Sequence, residues 1–291
     1  QKNPNHFDAI HLLGVIYLQL NQYDLAGEYL NKAVAINPRF ADALFHRGLN
    51  FKMQYQLDKA LEEYKKALEI NPDHQNALLE AGCIYEASEL LDDALVYFDK
   101  AIKINNEFIL AHLNKSNVLR RLKRFDEAMR EADLAIQMAP QYALTHSSKA
   151  MILTDQHQFD LAMQLSDKAI ALGGNNTELA QLYSQRGIIH RGIWDLENAA
   201  ADFQKAVELD SNLVDAYANL GLALSDLGKL DLAIPVYEKG LSINPHHHSC
   251  RFNYSMSKLT SGDLINGFLQ YECRRNMFNW GVENKHAEWT G

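Results

Sequence analysis

The sequence predicts an all-α chain of seven like helical pairs and a degenerate eighth, and three recurrences carry that prediction. Ala26, Ala60, Ala94, Ala128 and Ala162 stand 34 residues apart, the step to Ala199 is 37, and the step to Ala233 is 34 again. Twelve residues before each of these stands a second small residue: Gly14, Gly48, Gly82, Ser116, Ala150, Gly187 and Gly221. Pro38, Pro72, Pro140 and Pro245 fall near the end of the unit, where proline stops a helix and drives the preceding residue out of helical dihedrals. Self-similarity at this period marks one supersecondary unit repeated along the chain.

Within each unit the first helix carries the leading small residue, with an aromatic three residues on in Tyr17, Phe51 and Tyr85. The second helix carries the marker alanine and, seven residues later, Ala33, Ala67, Ala101, Ala135, Ala169 and Ala206, with Gly240 in the seventh unit. Large side chains at Tyr64, Phe98, Phe203 and Tyr237 follow the marker by four residues. Small opposite large is how a helical pair interlocks. Asp24, Asp58, Asp92, Asp126, Asp160 and Asp231 precede the marker by two and are expected as N-caps of the second helix, each contributing about 1 kcal/mol.

The units run at about 7–40, 41–74, 75–108, 109–142, 143–179, 180–213 and 214–247. The segment Gly173-Gly174-Asn175-Asn176 adds three residues and lacks the closing proline, so the boundary near 173–177 is expected to change the stacking angle locally, as a hinge. Pro235 is placed in the first turn or so of its helix, as a structural residue. Residues 248–281 form the degenerate eighth unit. Ser255, Gly267 and Tyr271 keep its register, while Arg251, Lys258 and Arg274 bring polarity to one face, as a terminal cap requires. Residues 282–291 are expected as a tail or linker.

Composition narrows the function. With 28 basic and 37 acidic residues the formal charge is −9, which argues against an unspecific grip on nucleic acid or anionic lipid. Cys83, Cys250 and Cys273 are odd in number and far apart, fitting a reducing compartment and a cytoplasmic location. No apolar run approaches the roughly 20 residues of a membrane span, and the start QKNPNHFDAI lacks a signal-peptide core. A chain that begins at Gln1 is expected to be a piece of a longer protein.

The period and the offsets of small, aromatic, Ala, Ala and Pro residues resemble the tetratricopeptide repeat family over nearly the whole chain. The resemblance implies two antiparallel helices per repeat, stacked as a right-handed α-α superhelix whose concave face is lined by the first helices.

No phosphate loop, dinucleotide fingerprint, nucleophile elbow or zincin motif occurs, so no catalysis by this chain and no cofactor are expected. His246, His247 and His248 are adjacent residues that cannot all face one ion and read as a solvated repeat junction. Arg120, Arg121, Lys123 and Arg124 form the only dense basic run, most simply a solvated turn. Asn114, Asn117 and Arg121, at spacings of three and four, share one helical face.

The repeat position of Asn114 reads Leu12, His46, Glu80, Asn114, Ser148, Gln185, Asn219 and Asn253 along the chain. An amide donates and accepts at once, so a row of them can grip a peptide backbone without reading its side chains. This row resembles the asparagine ladder in the repeat domain of O-linked N-acetylglucosamine transferases at Asn114, Asn117, Asn219 and Asn253, while Leu12, His46 and Glu80 break it, which implies peptide binding along repeats 4 to 8; with Arg121 and Gln185 on the same faces, the expected groove residues are Asn114, Asn117, Arg121, Gln185, Asn219 and Asn253. Phe45, Leu49 and Met53 in the early repeats are expected as an apolar contact or self-association surface. Repeat proteins that clamp a carboxylate tail place Lys and Asn four apart on the first helix; His11 and Val15 stand there instead.

The segment Gly262 to Arg274, with Trp289-Thr290-Gly291, resembles the junction of bacterial repeat proteins that continue into a glycosyltransferase domain, with Phe268 and Cys273 in place of tryptophans. The functional expectation is a protein-interaction scaffold that takes a protein or peptide partner, with self-association through its terminal repeats. The alternative is the substrate-recognition arm of a larger glycosyltransferase.

Overall fold

The computed structural model describes residues 6–271. Among them are sixteen helices and no strand. They are α1 Phe7–Gln19, α2 Tyr23–Ile36, α3 Ala41–Met53, α4 Leu57–Ile70, α5 Gln75–Ala87, α6 Leu91–Ile104, α7 Ile109–Arg121 and α8 Phe125–Met138. The remainder are α9 Ala143–Asp155, α10 Phe159–Leu172, α11 Asn176–Gly192, α12 Leu196–Leu209, α13 Val214–Asp226, α14 Leu230–Ile243, α15 His248–Thr260 and α16 Leu264–Tyr271. Arg274, Cys273 and the Trp289-Thr290-Gly291 run lie outside the described residues, as does the expected tail at 282–291. The chain divides into two compact units, one ending at Pro140 and the other beginning at Gln141.

The architecture inside each unit follows one rule. Each odd-numbered helix packs on the next as a hairpin, each second helix packs on the first helix of the following repeat, and neighbouring first helices touch, as α5 does α7 and α13 does α15. The all-α fold class expected from the period is the one found in both units.

Every hairpin turns through the same motif. Asn21, Tyr55, Glu89, Lys123, His157, Trp194, Gly228 and Gly262 hold φ between 57° and 89°, the left-handed region. In the first turn Asn21 N–H donates to Leu18 O at 3.0 Å and Gln22 N–H to Tyr17 O at 2.9 Å, the paired bonds that close a helix on a left-handed residue. Glycine usually takes that place, and six of the eight positions here accept the Cβ penalty.

This turn corrects the expected N-caps. The six aspartates lie at the second helical position; the residues before the helices are Gln22, Gln56, Leu90, Arg124, Gln158 and Lys229, none with a side-chain capping bond. The aspartates act instead through their charge near the positive helix end, worth roughly 0.3–1 kcal/mol each at exposed sites. Pro235 is likewise deeper than expected, sixth in α14, with its missing N–H on the exposed side of the helix.

Between repeats, the residue before the closing proline makes a second local bond. Asn37, Asn71 and Asn244 accept from the backbone N–H two residues on, at 3.3, 3.1 and 3.0 Å, and Asn105 and Asp210 do the same at 3.0 Å without a proline. Such side-chain turns stop a helix without needing a special dihedral. His247, from the histidine run, has a defined role too: its Nδ1 caps α15 by accepting from Cys250 N–H at 3.2 Å, and its Nε2 stands 3.0 Å from Asp215 Oδ1.

The core is the interlock the sequence pattern implies. All seven marker alanines are fully buried, as are Tyr64, Phe98, Phe203 and Tyr237. A Cβ built on Gly48, Gly82 or Gly221 would stand 2.5 Å from the ring of Tyr64, Phe98 or Tyr237, and one on Gly187 would stand 2.7 Å from Phe203. At Ser116 the small residue adds a bond, its hydroxyl donating to Ala128 O at 3.0 Å. Ion pairs tie first to second helices across the same hairpins: Arg47 to Glu63, Lys115 to Glu131, and Arg186 to Asp202.

At the insertion, the extra residues lengthen α11 to 17 residues instead of forming a loop. Gly173 ends α10 at φ 81°. Asn175 then opens α11 with reciprocal bonds, its Oδ1 accepting from Glu178 N–H at 2.9 Å and its own N–H donating to Glu178 Oε2 at 3.0 Å. The helix packs on both α9 and α10, and the division between the two compact units falls after Pro140, not here.

Candidate functional site

The residues singled out for a groove all lie on first helices: Phe45, Leu49 and Met53 on α3; Asn114, Asn117 and Arg121 on α7; Gln185 on α11; Asn219 on α13; Asn253 on α15. All six polar members are half-buried. Their bonding divides them.

In the first unit the polar members are tied to the preceding first helix. Asn114 Nδ2 donates to Cys83 Sγ at 3.3 Å and Asn117 Nδ2 to Glu86 Oε1 at 2.6 Å, while Asn117 Oδ1 accepts from Arg120 Nη2 at 2.9 Å. Arg121 donates to the Glu86 carbonyl oxygen at 3.3 Å and to Glu89 Oε2 at 2.6 Å. Farther along the same face Lys52 and Glu80 pair at 2.5 Å. This part of the surface is a set of struts between α3, α5 and α7. Burial raises the Glu86 carboxyl above its ordinary range in spite of Asn117 and Arg121. Burial, with help from Glu80, pushes the Cys83 thiol up to about 12, so it is a protonated packing group at neutral pH.

In the second unit Gln185 accepts a bond from the Ser147 hydroxyl. Asn219 and Asn253 make no side-chain hydrogen bond with any described residue. They occupy the same repeat position on α13 and α15, which pack side by side, and beside them run Ile188, Leu222 and Met256. Among the described residues, an amide pair without internal partners is therefore a feature of the last repeats.

The apolar candidates also separate. Phe45 is a core residue, 7% exposed, its ring 5.7 Å from Tyr64 and 4.8 Å from His74. Leu49 is half-buried against the same cluster, and only Met53 is well exposed. The basic run is largely neutralised, Arg121 by Glu86 and Glu89 and Arg124 by Glu127 at 2.7 Å.

No sequence pattern signalled the histidine contact between the first two repeats. His11 Nε2 stands 3.0 Å from His46 Nδ1, and that nitrogen is 2.6 Å from the Asp42 carbonyl oxygen. Burial holds both imidazoles below their ordinary 6.5, Asp42 and Asp8 opposing this at His11, and His11 and His74 adding to it at His46. Below that value the unfolded chain binds more protons than the folded one, so their stabilisation is present above about pH 6.5 and lost as pH falls. His112 runs oppositely: its bond to Glu131 at 2.6 Å raises it, so its stabilisation is present in acid and lost as pH rises through the raised value. Hydrogen exchange between pH 7.5 and 5.5 is expected to show α1 and α3 loosening in acid while α7 and α8 do not; equal acid loosening of both pairs would contradict this.

Among the described residues no group of three or more His, Cys, Asp or Glu is placed to hold a metal ion, and no helix is long and apolar enough to cross a membrane. What the site offers is hydrogen bonding by amides beside apolar side chains.

Models described as tetratricopeptide repeat, or TPR repeat, match residues 7–40, 41–74, 76–108, 110–142, 195–228 and 214–247, together more than half of the chain. An uncharacterized protein of Methanocaldococcus jannaschii is 32% identical over 78 residues, 27% of this chain and 91% of that protein. A tetratricopeptide repeat protein of Parabacteroides merdae superposes with a TM-score of 0.72 at 16% identity, over 86% of this chain and 98% of its own. Yeast Tom70 follows at 0.69 and 19% identity, over 96% of this chain and 62% of its own. The Cut9–Hcn1 assembly of the APC/C gives 0.66 at 16% identity, over 94% of this chain and 53% of the matched one. At these identities the structural likenesses speak to the fold alone.

Proposed function

Because this chain belongs to the tetratricopeptide repeat family, we propose that it is a cytoplasmic, non-catalytic interaction scaffold that holds an extended polypeptide against the first helices of its last repeats. The observation that carries this reading is the pair of half-buried amides at Asn219 and Asn253, which bond to no side chain or backbone group among the described residues. Packed helices stand about 8–10 Å apart and an extended chain advances about 3.3 Å per residue, so neighbouring asparagines would meet the peptide backbone at about every third residue. Each amide can donate to a carbonyl and accept from an N–H, and Leu222 and Met256 offer apolar contact between them. Asn114, Asn117 and Arg121 belong to the same row, but their bonds to α5 fit a supporting role better than a direct grip.

One backbone hydrogen bond is worth roughly 0.5–1.5 kcal/mol net. Asn219→Ala with Asn253→Ala is therefore expected to weaken a peptide at least tenfold, about 1.4 kcal/mol, with the helical signal unchanged. The measurement is fluorescence anisotropy with a peptide selected by display on the immobilised 291-residue chain. Should the double variant bind like the parent while Leu49→Ala with Met53→Ala does not, the early repeats carry the contact and the amide pair is incidental.

The recognition-arm reading draws on the last helix. Ile265 and Leu269 are exposed apolar residues, and at the repeat position of Ile265 the other second helices carry Asp24, Asp58, Asp92, Asp126, Asp160, Glu197 and Asp231. An apolar patch replacing that acidic row suits a surface covered by a further domain. Gly262, Asp263 and Gly267, in contrast, are accounted for as an ordinary hairpin: a left-handed turn residue, a side chain bonding Asn266 N–H at 3.3 Å, and a close contact with Leu259. Sequencing the natural gene past Gly291 decides between an arm and a free-standing scaffold. The scaffold reading also includes self-association at the terminal repeats.

A further inference from the structure

We propose that the cleft between α4 and α6 binds a short acidic peptide segment of a partner protein, one with an apolar side chain between its carboxylates. The inference gives the scaffold a second contact of stated chemistry. It stands on residues of the first compact unit, apart from the amide pair of the last repeats.

The cleft has a volume of about 790 Å³, inside the range of about 300–1,000 Å³ usual for ligand sites. Leu68, Leu78, Tyr97 and Ile104 give it apolar walls, and Lys65, Lys100 and Lys103 bring three ammonium groups to it against the carboxylates of Glu69 and Asp73. Elsewhere in the same unit Lys32, Lys52, Lys66 and Lys115 each pair with a carboxylate. The three lysines of the cleft make no ion pair or hydrogen bond with a described residue.

The repeat register shows how one of these cations lost its internal partner. Lys32, Lys66 and Lys100 hold the same repeat position. Glu28 and Glu62, four residues earlier, pair with the first two, whereas Val96 stands at that place before Lys100. The cations are nonetheless held at the cleft. Tyr85 and Tyr97 stack with their centroids 5.1 Å apart, Lys65 Nζ lies 5.4 Å from the Tyr85 centroid, and Lys100 Nζ lies 5.4 Å from that of Tyr97. A ring face attracts an ammonium without neutralising it.

Charge complementarity then names the occupant. Lys65 and Lys100 stand 35 positions apart, one residue off the repeat, so they lie at nearly the same height on α4 and α6; Glu69 and Lys103 share one position further along. A carboxylate at the first level meets two unneutralised ammonium groups, and the apolar walls take the side chain beside it. Lysine reads charge without demanding a planar, two-pronged anion. In a chain of formal charge −9 a long polyanion such as nucleic acid is repelled by the rest of the surface, and a short segment confined to the cleft is not.

The test is calorimetric titration of the 291-residue chain with acetyl-Glu-Glu-Leu-Glu-Glu-amide and with its glutamine counterpart. One-to-one binding of the acidic peptide is expected, about tenfold or more tighter than that of the glutamine peptide, and weakened as salt rises from about 0.1 M to 1 M. Lys65→Gln with Lys100→Gln and Lys103→Gln should weaken the acidic peptide about tenfold or more, with the helical signal unchanged because all three side chains are exposed. Glu69→Gln should tighten it by removing a like charge from the lining. Equal binding of the two peptides, a triple variant that binds like the parent, or no binding up to about 1 mM would overturn the proposal. So would displacement of the peptide by a single-stranded RNA of equal charge, since the cleft would then be an unspecific anion sink. Asn219→Ala with Asn253→Ala should bind this peptide as the parent does; if that pair abolishes binding while the lysine variant keeps it, the peptide sits in the groove and the cleft assignment fails.

Discussion

Phe98→Ala is expected to lower the unfolding free energy by about 3–5 kcal/mol. The ring is fully buried in α6 and lies over Gly82 of α5, so truncation opens a void between the two helices where glycine has no side chain to fill it. Gly82→Val attacks the same contact from the other side, since even its first carbon would stand 2.5 Å from Phe98 Cε1. Overpacking of that kind costs about 1–3 kcal/mol. The two changes share one space, so the double variant should cost clearly less than their sum. Urea unfolding measures the totals, and hydrogen exchange should place the first fraying in α5 and α6, because repeats couple mainly to neighbours. A Phe98→Ala variant within about 1 kcal/mol of the parent, or full additivity, would mean that the interlock does not hold the hairpin together.

Asp202→Ala is expected to rank second. Arg186 Nε and Nη2 donate to Asp202 Oδ2 and Oδ1 at 2.8 and 2.7 Å, a two-pronged pair between α11 and α12, with Asp202 buried. Removing one partner of a buried pair costs roughly 3–5 kcal/mol; with the Arg186 side chain 23% exposed and Asp167 still within reach, about 2–3 kcal/mol is expected here. The informative control is Arg186→Met with Asp202→Leu. An apolar pair of similar volume should restore most of the loss, because the desolvation of both charges is then avoided. If the apolar pair is as unstable as Asp202→Ala, the guanidinium–carboxylate geometry itself is required. Calorimetric melting separates these outcomes.

The sites behave differently from the core when read from sequence. Gly82 and Phe98 are legible because they belong to one hairpin, and their recurrence at a fixed offset states the contact. The first-turn aspartates mislead by two residues, because the left-handed turn at Asn21, Tyr55 and their equivalents starts the second helix earlier than a capping pattern indicates. Phe45 reads as a surface residue by its place beside Leu49 and Met53, yet it is buried against Tyr64 and His74, residues 19 and 29 positions further on. His11 and His46 carried no signal at all, since a single pair leaves no period.

Taken alone, the amino-acid sequence determined that the chain is helical and where every hairpin but the sixth begins; the sixth, expected from about 180, begins at Asn176 because the inserted residues extend its first helix. It also determined which small residue faces which ring. Those contacts are short in sequence and identical from repeat to repeat, so sterics write them into the period. Tertiary structure alone decided which members of the asparagine row are free. Asn114 and Asn253 hold the same repeat position, but Asn114 faces Cys83 and is bonded, while Asn253 meets no described partner. Whether an amide is spent or available depends on the side chain that the neighbouring helix brings to within about 3 Å, and that neighbour varies where the backbone does not.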